Sequence, residues 1–168
     1  QRYLESLVEN HGIGGVIVMQ GGPELQKKLV QRLQAASKLP LLVGQDAEWG
    51  QAMRLDSTYK FPTALTVGAV QDMDLVQDLG AALAYESHKT GVQMSFSPVL
   101  DVNTNPKNPI IGARSFGSDP LEVSKRGLAL TRGMEAAGVL GSGKHFPGHG
   151  DTQSDSHKTL PVVDRTLE

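Results

Sequence analysis

The segment DPLEVSKRGLALTRGMEAAGVLGSGKH, residues 119–145, contains a helix pattern followed directly by a strand pattern. Asp119 can cap the helix, Pro120 suits the first helical position, and Glu122 completes a capping box. One helical face then carries the apolar stripe Val123, Gly127, Leu130, Met134 and Ala137. The segment therefore predicts a helix that ends at Gly138 and a strand that begins there.

Four short apolar segments of the chain predict buried strands, at residues 14–19, 39–46, 92–101 and 138–145. Their nearly continuous apolarity is typical of parallel strands that are covered on both faces. Because helical patterns separate these segments, we expect an α/β fold in which strand and helix alternate.

Two more helical patterns lie between the strands. The first follows Pro23 and places Leu25, Leu29, Leu33 and Ala36 on one face. The second lies between Asp72 and Gly91, with Leu75, Leu79, Ala82 and Leu83 on one face.

The connections between strands and helices are unequal in length. Helix-to-strand links, such as residues 37–38 and 90–91, are short. Strand-to-helix links are long, covering about residues 45–71, 99–118 and 144 to the end. Parallel α/β folds place their sites at the carboxyl ends of the strands, so we expect function in these long links.

The composition bounds the classes of function. The chain has 168 residues, of which 39% are hydrophobic, which is enough for one core. Its net charge of -2 shows no electrostatic footprint for nucleic acid or an anionic membrane, and no apolar run is long enough to span a bilayer. The absence of cysteine excludes disulfides, thiolate nucleophiles and cysteine-based zinc sites, and it leaves the compartment open between cytoplasm and periplasm.

Two of the long links contain polar clusters. In QDAEWGQAMRLDS, residues 45–57, Asp46 follows a strand and would face the space between the loops; alternatively Asp46 caps a turn and Trp49 fills the core. In residues 101–120 the candidates are Asp101 and Arg114. Alternatively, Asp101 makes a side-chain turn and Arg114 pairs with a nearby carboxylate.

The third link, GKHFPGHGDTQSDSHKTLP at residues 143–161, is the richest in titratable groups. Asp155 lies two residues before His157, so its carboxylate can accept the imidazole N–H and fix the tautomer that a general acid/base needs. A surface loop without chemistry is one alternative. Metal binding is the other, with the possible ligands His145, His149, Asp151, Asp155 and His157, although their spacing matches no standard metal motif.

The motif KHFPGHGDTQSDSHKTLP resembles the signature of the β-N-acetylglucosaminidase branch of family 3 glycoside hydrolases. The segment QDAEWGQAMRL is similar to the acidic substrate loop of that family, and DVN and GARSFG match two further family elements. The resemblance covers essentially the whole chain. It departs at residues 46–50, where bacterial relatives more often read Asp-Gln-Glu-Gly-Gly and this chain reads Asp-Ala-Glu-Trp-Gly.

The resemblance implies removal of terminal β-linked N-acetylglucosamine with retention of configuration, as in the recycling of peptidoglycan fragments. We expect no cofactor and no metal. The resemblance implies His157 as the acid/base and Asp155 as its partner. It implies that Asp46, Arg114, Lys144 and His145 hold the sugar, and that Asp101 is a supporting residue.

The resemblance also implies a (β/α)8 TIM-type barrel, which typically needs about 250 residues. With four strands, residues 1–168 are expected to be a fragment of one barrel domain, with about four βα units. The family's nucleophilic aspartate is expected on a later strand beyond this chain, so the fragment alone is expected to be inactive.

Two alternatives to a glycosidase remain at this point, a metal-dependent hydrolase and a non-catalytic sugar-binding module. A neutral imidazole repels anionic acceptors less than a carboxylate does, so we also expect that phosphate can compete with water.

Overall fold

The computed structural model describes residues 2–152, 160 and 162. The helices of this part of the chain are α1 (Arg2–His11), α2 (Pro23–Ala36), α3 (Ala64–Gly68), α4 (Met73–Lys89) and α5 (Pro120–Ala136). The strands are β1 (Gly15–Val18), β2 (Leu42–Gln45), β3 (Met94–Ser95) and β4 (Leu140–Gly141). Short 3-10 helices span Gln51–Met53 and Gly112–Arg114.

The strands form one parallel sheet in the order β1-β2-β3-β4. The register pairs Gly15 with Leu42, Gly44 with Met94, and Met94 with Leu140. The predicted α/β class with parallel strands is therefore confirmed. Because all strands run the same way, the loops that follow β2, β3 and β4 begin at one edge of the sheet.

Strands β3 and β4 are shorter than the predicted segments at residues 92–101 and 138–145. Pro98 has no N–H to donate to the ladder, so regular pairing stops near it. Hydrogen bonding continues irregularly, from Ser142 N to Ser97 O (2.8 Å) and from Leu100 N to Lys144 O (2.7 Å). The paired backbone therefore reaches Lys144, the first predicted site residue of the last loop.

The helices cover one face of the sheet. Val18 and Val43 pack there against Val30 of α2. The opposite face carries Ile17, Leu42 and Leu140, which are 61%, 43% and 52% exposed. The prediction that the strands are covered on both faces is therefore wrong for the described residues.

The sequence predicted the ends of the helices well. It was less accurate about which face of each helix is buried. Asp119 caps α5 by accepting a hydrogen bond from Glu122 N at 2.9 Å, as expected. The reciprocal half of the capping box is not formed, because the Glu122 carboxylate pairs with Lys125 and Arg126 instead. Leu25 and Leu75 are exposed, since α2 and α4 bury neighbouring positions such as Val30 and Val76.

Helix α1 and the short helix α3 were not predicted from the sequence. Among the described helices, none combines the length and the apolar composition that a bilayer span requires.

Candidate active site

Asp46 lies directly after β2 and binds two cations. Its Oδ1 is 2.6 Å from Lys144 Nζ, and its Oδ2 pairs with Arg54. Arg54 also donates from Nε to the Asp46 carbonyl at 2.9 Å, which holds the loop against the strand. The carboxylate thus joins the loop after β2 to the segment after β4, instead of capping a turn.

Glu48, two residues further along the same loop, contacts Arg114 and Lys144. Arg114 donates from Nε to Oε2 at 2.9 Å and from Nη2 to Oε1 at 2.6 Å, which is a bidentate pair. Lys144 Nζ lies 2.7 Å from Oε1. The Glu48 side chain is only 5% exposed, so this carboxylate is buried among its cations.

Asp101 follows β3 and is the most deeply buried carboxylate of the group, with a side-chain exposure of 0%. Its Oδ2 accepts from His145 Nδ1 at 2.6 Å and from His145 N at 3.1 Å. Its Oδ1 accepts from His149 N at 2.5 Å. The carboxylate therefore holds the loop after β4 at two backbone positions and orients one imidazole.

The partners of His145 define its tautomer. A carboxylate only accepts and a guanidinium only donates, so Nδ1 carries the hydrogen that faces Asp101. Nε2 lies 3.1 Å from Arg114 Nη2 and accepts from it. His145 is therefore a neutral imidazole that connects Asp101 to Arg114.

Arg114 is positioned by the loop after β3. Asn108 shapes this loop, because its Oδ1 accepts from Ile110 N at 2.9 Å and from Ile111 N at 2.8 Å. Asn108 Nδ2 donates to His149 O at 2.6 Å, which ties the loop to the segment after β4. Ile111 is buried and anchors the short 3-10 helix that ends at Arg114.

The charges of the cluster shift the titration of its members. Burial alone would raise the pKa of Asp46, but the hydrogen bonds and charges of Lys144 and Arg54 outweigh burial, and the pKa lies below its usual range. The same balance lowers the pKa of Glu48, through Arg114 and Lys144.

Asp101 follows the same pattern with different partners. Burial raises its pKa, and the hydrogen bonds from His145 and His149 lower it by more. The hydrogen bond to Glu48 raises the pKa of Arg114. The three carboxylates are therefore ionised at neutral pH and cannot serve there as proton donors.

The cluster keeps free hydrogen-bonding capacity. Four of the five N–H groups of Arg114 face Glu48, His145 or the Ile110 carbonyl, which leaves one on Nη1 without a partner among the described residues. Lys144 Nζ has three hydrogens and contacts two carboxylates, so one hydrogen remains for a ligand. The side chains of Asp46, Lys144 and Arg114 are 24%, 15% and 23% exposed, so a ligand can reach them. This mixture of donors and acceptors suits the hydroxyl groups of a sugar.

The structure brings some of the predicted site residues together, leaves others outside the described residues, and adds two that were not predicted. Asp46, Arg114, Lys144 and His145 come together at one edge of the sheet. Asp155 and His157, the predicted acid/base pair, lie outside the described residues. Glu48 and Arg54 were missed, although both stand in the acidic loop that begins at Asp46.

His149 and Trp49 have surroundings of their own. His149 is buried, with Nδ1 bonded to Thr152 Oγ1 and no partner for Nε2 in the described part of the chain. Trp49 borders a cavity of about 20 Å³ beside Glu48 and Arg114.

Across residues 2–152, no group of three or more histidine or carboxylate side chains has the arrangement of a metal site.

Comparisons with known proteins match all or most of the chain. The family model described as "Glycosyl hydrolase family 3 N terminal domain" matches residues 1–168. A curated relative, beta-hexosaminidase A of Pseudoalteromonas piscicida, is 37% identical over 174 residues, which cover 96% of this chain and 29% of that protein. The chain spans less than half the length of each of the curated relatives that it matches here.

Two solved structures share the fold. The family 3 beta-N-acetylglucosaminidase of Paenibacillus sp. str. FPU-7 aligns with a TM-score of 0.89 and 35% identity, over 97% of this chain and 32% of that one. The beta-glucoside phosphorylase BglX bound to 2FGlc aligns with a TM-score of 0.81 and 33% identity, over 86% of this chain and 26% of that one. The four-stranded parallel sheet is therefore part of a TIM-type barrel, as predicted.

Proposed function

Because the chain belongs to the glycosyl hydrolase family 3 N-terminal domain family, we propose that it is part of a retaining β-N-acetylglucosaminidase. The enzyme would release terminal β-linked N-acetylglucosamine, with peptidoglycan fragments as a substrate class. Residues 1–168 would form one portion of a single barrel domain. The similarity to a beta-hexosaminidase and to a beta-N-acetylglucosaminidase supports this assignment.

The observation that carries the proposal is the cluster of Asp46, Arg114 and Lys144 at the carboxyl edge of the sheet. In barrel enzymes this edge holds the active site. Ionised carboxylates accept hydrogen bonds from sugar hydroxyls, and the remaining N–H groups of Arg114 and Lys144 donate to them. We assign these residues, with His145, to the binding of the terminal sugar.

The chemical step in this proposal uses groups outside the cluster. His157 would protonate the glycosidic oxygen as the bond to the leaving group breaks, while an aspartate beyond these 168 residues attacks the anomeric carbon. His157 would then take a proton from water, whose oxygen attacks the same carbon and releases the aspartate. Asp155 would accept the imidazole N–H of His157 and stabilise its charged form.

The test measures how fast the full-length protein cleaves a chromogenic β-N-acetylglucosaminide. We expect cleavage that a chelator does not affect and that His157→Ala lowers by about 10²–10⁴-fold, the usual contribution of a general acid/base. His11→Ala is the matched control, because His11 ends α1 before β1 begins, at the opposite edge of the sheet. Chelator-sensitive cleavage would favour a metal-dependent hydrolase, and sugar binding without cleavage would favour a non-catalytic module.

Phosphorolysis is a second candidate reaction, because one structural neighbour of this chain is a phosphorylase. A neutral imidazole at position 157 would repel phosphate less than the carboxylate of other retaining glycosidases does. Product analysis in phosphate buffer distinguishes the two reactions. The appearance of N-acetylglucosamine 1-phosphate supports phosphorolysis, and its complete absence leaves hydrolysis alone.

A further inference from the structure

We propose that Glu48 is a specificity-determining residue whose carboxylate makes the sugar pocket select a neutral ring over an acidic one. This inference rests on the proposed function, because it takes the cluster around Arg114 and Lys144 as the sugar site. It assigns Glu48 a role of its own, separate from that of Asp46 in the same loop.

Glu48 occupies the positions on Arg114 and Lys144 that the carboxylate of an acidic sugar would need. Its two oxygens bind Arg114 Nε at 2.9 Å and Nη2 at 2.6 Å, which is how a guanidinium binds a ligand carboxylate. Oε1 also lies 2.7 Å from Lys144 Nζ. The two cations that would attract an acidic sugar are therefore already engaged by a carboxylate of the protein.

The charge balance of the described cluster depends on Glu48. Its members are three carboxylates, Asp46, Glu48 and Asp101, and three cations, Arg54, Arg114 and Lys144. His145 adds no charge, since its Nε2 accepts from Arg114. Without the Glu48 carboxylate the cluster would carry one excess positive charge in a partly buried pocket, where charges interact more strongly than in water.

The two classes of ligand differ in what they must displace. A neutral sugar can use the remaining N–H groups and leave the Glu48 pair intact. An acidic sugar that paired with Arg114 through both carboxylate oxygens would have to remove the guanidinium from Glu48, whose side chain is 5% exposed. A carboxylate buried without its cation is strongly unfavourable. The geometry therefore favours a hydroxyl or acetamido group over a carboxylate at this position.

The experiment compares Glu48→Gln with the wild-type full-length protein. Titration calorimetry measures the dissociation constants of N-acetylglucosamine, as the neutral ligand, and of D-glucuronate, as the acidic one. We expect Glu48→Gln to shift the ratio of the two constants toward glucuronate by about tenfold or more, the effect of one uncompensated charge nearby. Glu9→Gln is the matched control, since it makes the same chemical change at an exposed position on α1.

An unchanged ratio in Glu48→Gln, or an equal shift in Glu9→Gln, would overturn the inference. If Glu48→Gln does not fold, Glu48→Ala provides a second test, in which added acetate replaces the missing carboxylate. Relative to sodium chloride of equal ionic strength, acetate should raise the melting temperature of Glu48→Ala by more than it raises that of the wild type. Equal effects of acetate on both proteins would also refute the inference.

The outcomes separate this inference from the proposed function. A wild-type protein that cleaves no β-N-acetylglucosaminide, but gains glucuronate affinity through Glu48→Gln, supports the selectivity of the pocket and contradicts the enzyme assignment. A protein that cleaves the substrate without any change in selectivity contradicts the inference alone.

Discussion

Asp101 illustrates how one buried carboxylate organises the site. It accepts three N–H groups, two from His145 and one from His149, and its side chain is fully buried. Through the imidazole of His145 it also influences Arg114, which it does not touch directly. Its contribution should therefore be visible both in stability and in ligand binding.

We predict that Asp101→Asn destabilises the full-length protein by about 2–3 kcal/mol, because a hydrogen bond to an ionised acceptor contributes about 1.5–3 kcal/mol and asparagine cannot keep all three of them. An amide has one acceptor oxygen, so an N–H of His145 or His149 must face an NH₂ group. Urea denaturation measures the loss. Asp119→Asn is the control, since asparagine caps helices as well as aspartate does, and a loss there as large as in Asp101→Asn would contradict the prediction.

The lowered pKa values predict how stability depends on pH. Asp46, Glu48 and Asp101 have folded-state pKa values below those of the unfolded chain, so the unfolded chain takes up protons first as the pH falls. Their contribution to stability is complete above the unfolded pKa, near 4, and declines below it. The difference in unfolding free energy between wild type and Asp101→Asn should shrink from pH 5 to pH 3; a constant difference would refute this account.

The sequence predicted part of the site at the scale of residues. Asp46, Arg114, Lys144 and His145 stand in recognisable motifs, so they could be named. Glu48 could not be singled out, because its role depends on its pair with Arg114. Arg114 is 66 residues away in sequence, and no motif spacing links the two residues. The roles of these four residues in sugar binding stay predictions, as do the roles of Asp155 and His157.

At the scale of elements, the contact of α4 with α5 depends on two glycines. A Cβ atom at Gly133 would lie 1.9 Å from Gln77 O, and one at Gly80 would lie 2.2 Å from Leu130 O. Both contacts involve backbone atoms, which cannot move aside without shifting a helix. The helices can approach this closely only because neither position has a side chain.

Gly133→Ala should therefore destabilise the protein by about 1–3 kcal/mol, as overpacking does. Helix propensity alone would give the opposite sign, since alanine stabilises a helix interior by about 1 kcal/mol relative to glycine. Thermal or urea unfolding of the full-length protein measures the change. Gly14→Ala is the control, because no atom lies within 4 Å of its added Cβ, and a gain in stability for Gly133→Ala would disprove the packing argument.

Elements with start and stop signals could be predicted from the sequence, and elements that depend on neighbours could not. Asp119 and Pro120 mark the start of α5 correctly. Periodicity could not show which face of α2 is buried. Leu25 and Val30 are both apolar, and only the packing decides which of them is buried. Strand β3 ends at Ser95, before Pro98, although the predicted segment continues to residue 101.

At the scale of the whole molecule, one face of the sheet carries apolar side chains that no other described residue covers. Ile17, Leu42 and Leu140 lie on it, and in a complete barrel such positions fill the interior. The sequence predicted the α/β class, because strand and helix patterns alternate along the chain, and the family resemblance implied the partial barrel. That residues 1–168 belong to a single barrel domain remains a prediction.

We predict that a polypeptide limited to residues 1–168 self-associates, since exposed apolar sheet surface and open strand edges promote association. Light scattering after size-exclusion chromatography should show oligomers or aggregates, and Ile17→Lys with Leu140→Lys should reduce them. Leu39→Lys is the control, because Leu39 is 77% exposed but lies in the link before β2. A monomeric polypeptide would contradict the prediction.

The side-chain pairs of the site also bear on the order of folding. Lys144 and Asp46 are 98 residues apart in sequence, Arg114 and Glu48 are 66 apart, and His145 and Asp101 are 44 apart. Contacts between such distant residues form only after large loops have closed, which makes them slow and late. We therefore expect the pocket to form late in folding, so that substitutions in these pairs mainly speed unfolding and leave the folding rate nearly unchanged.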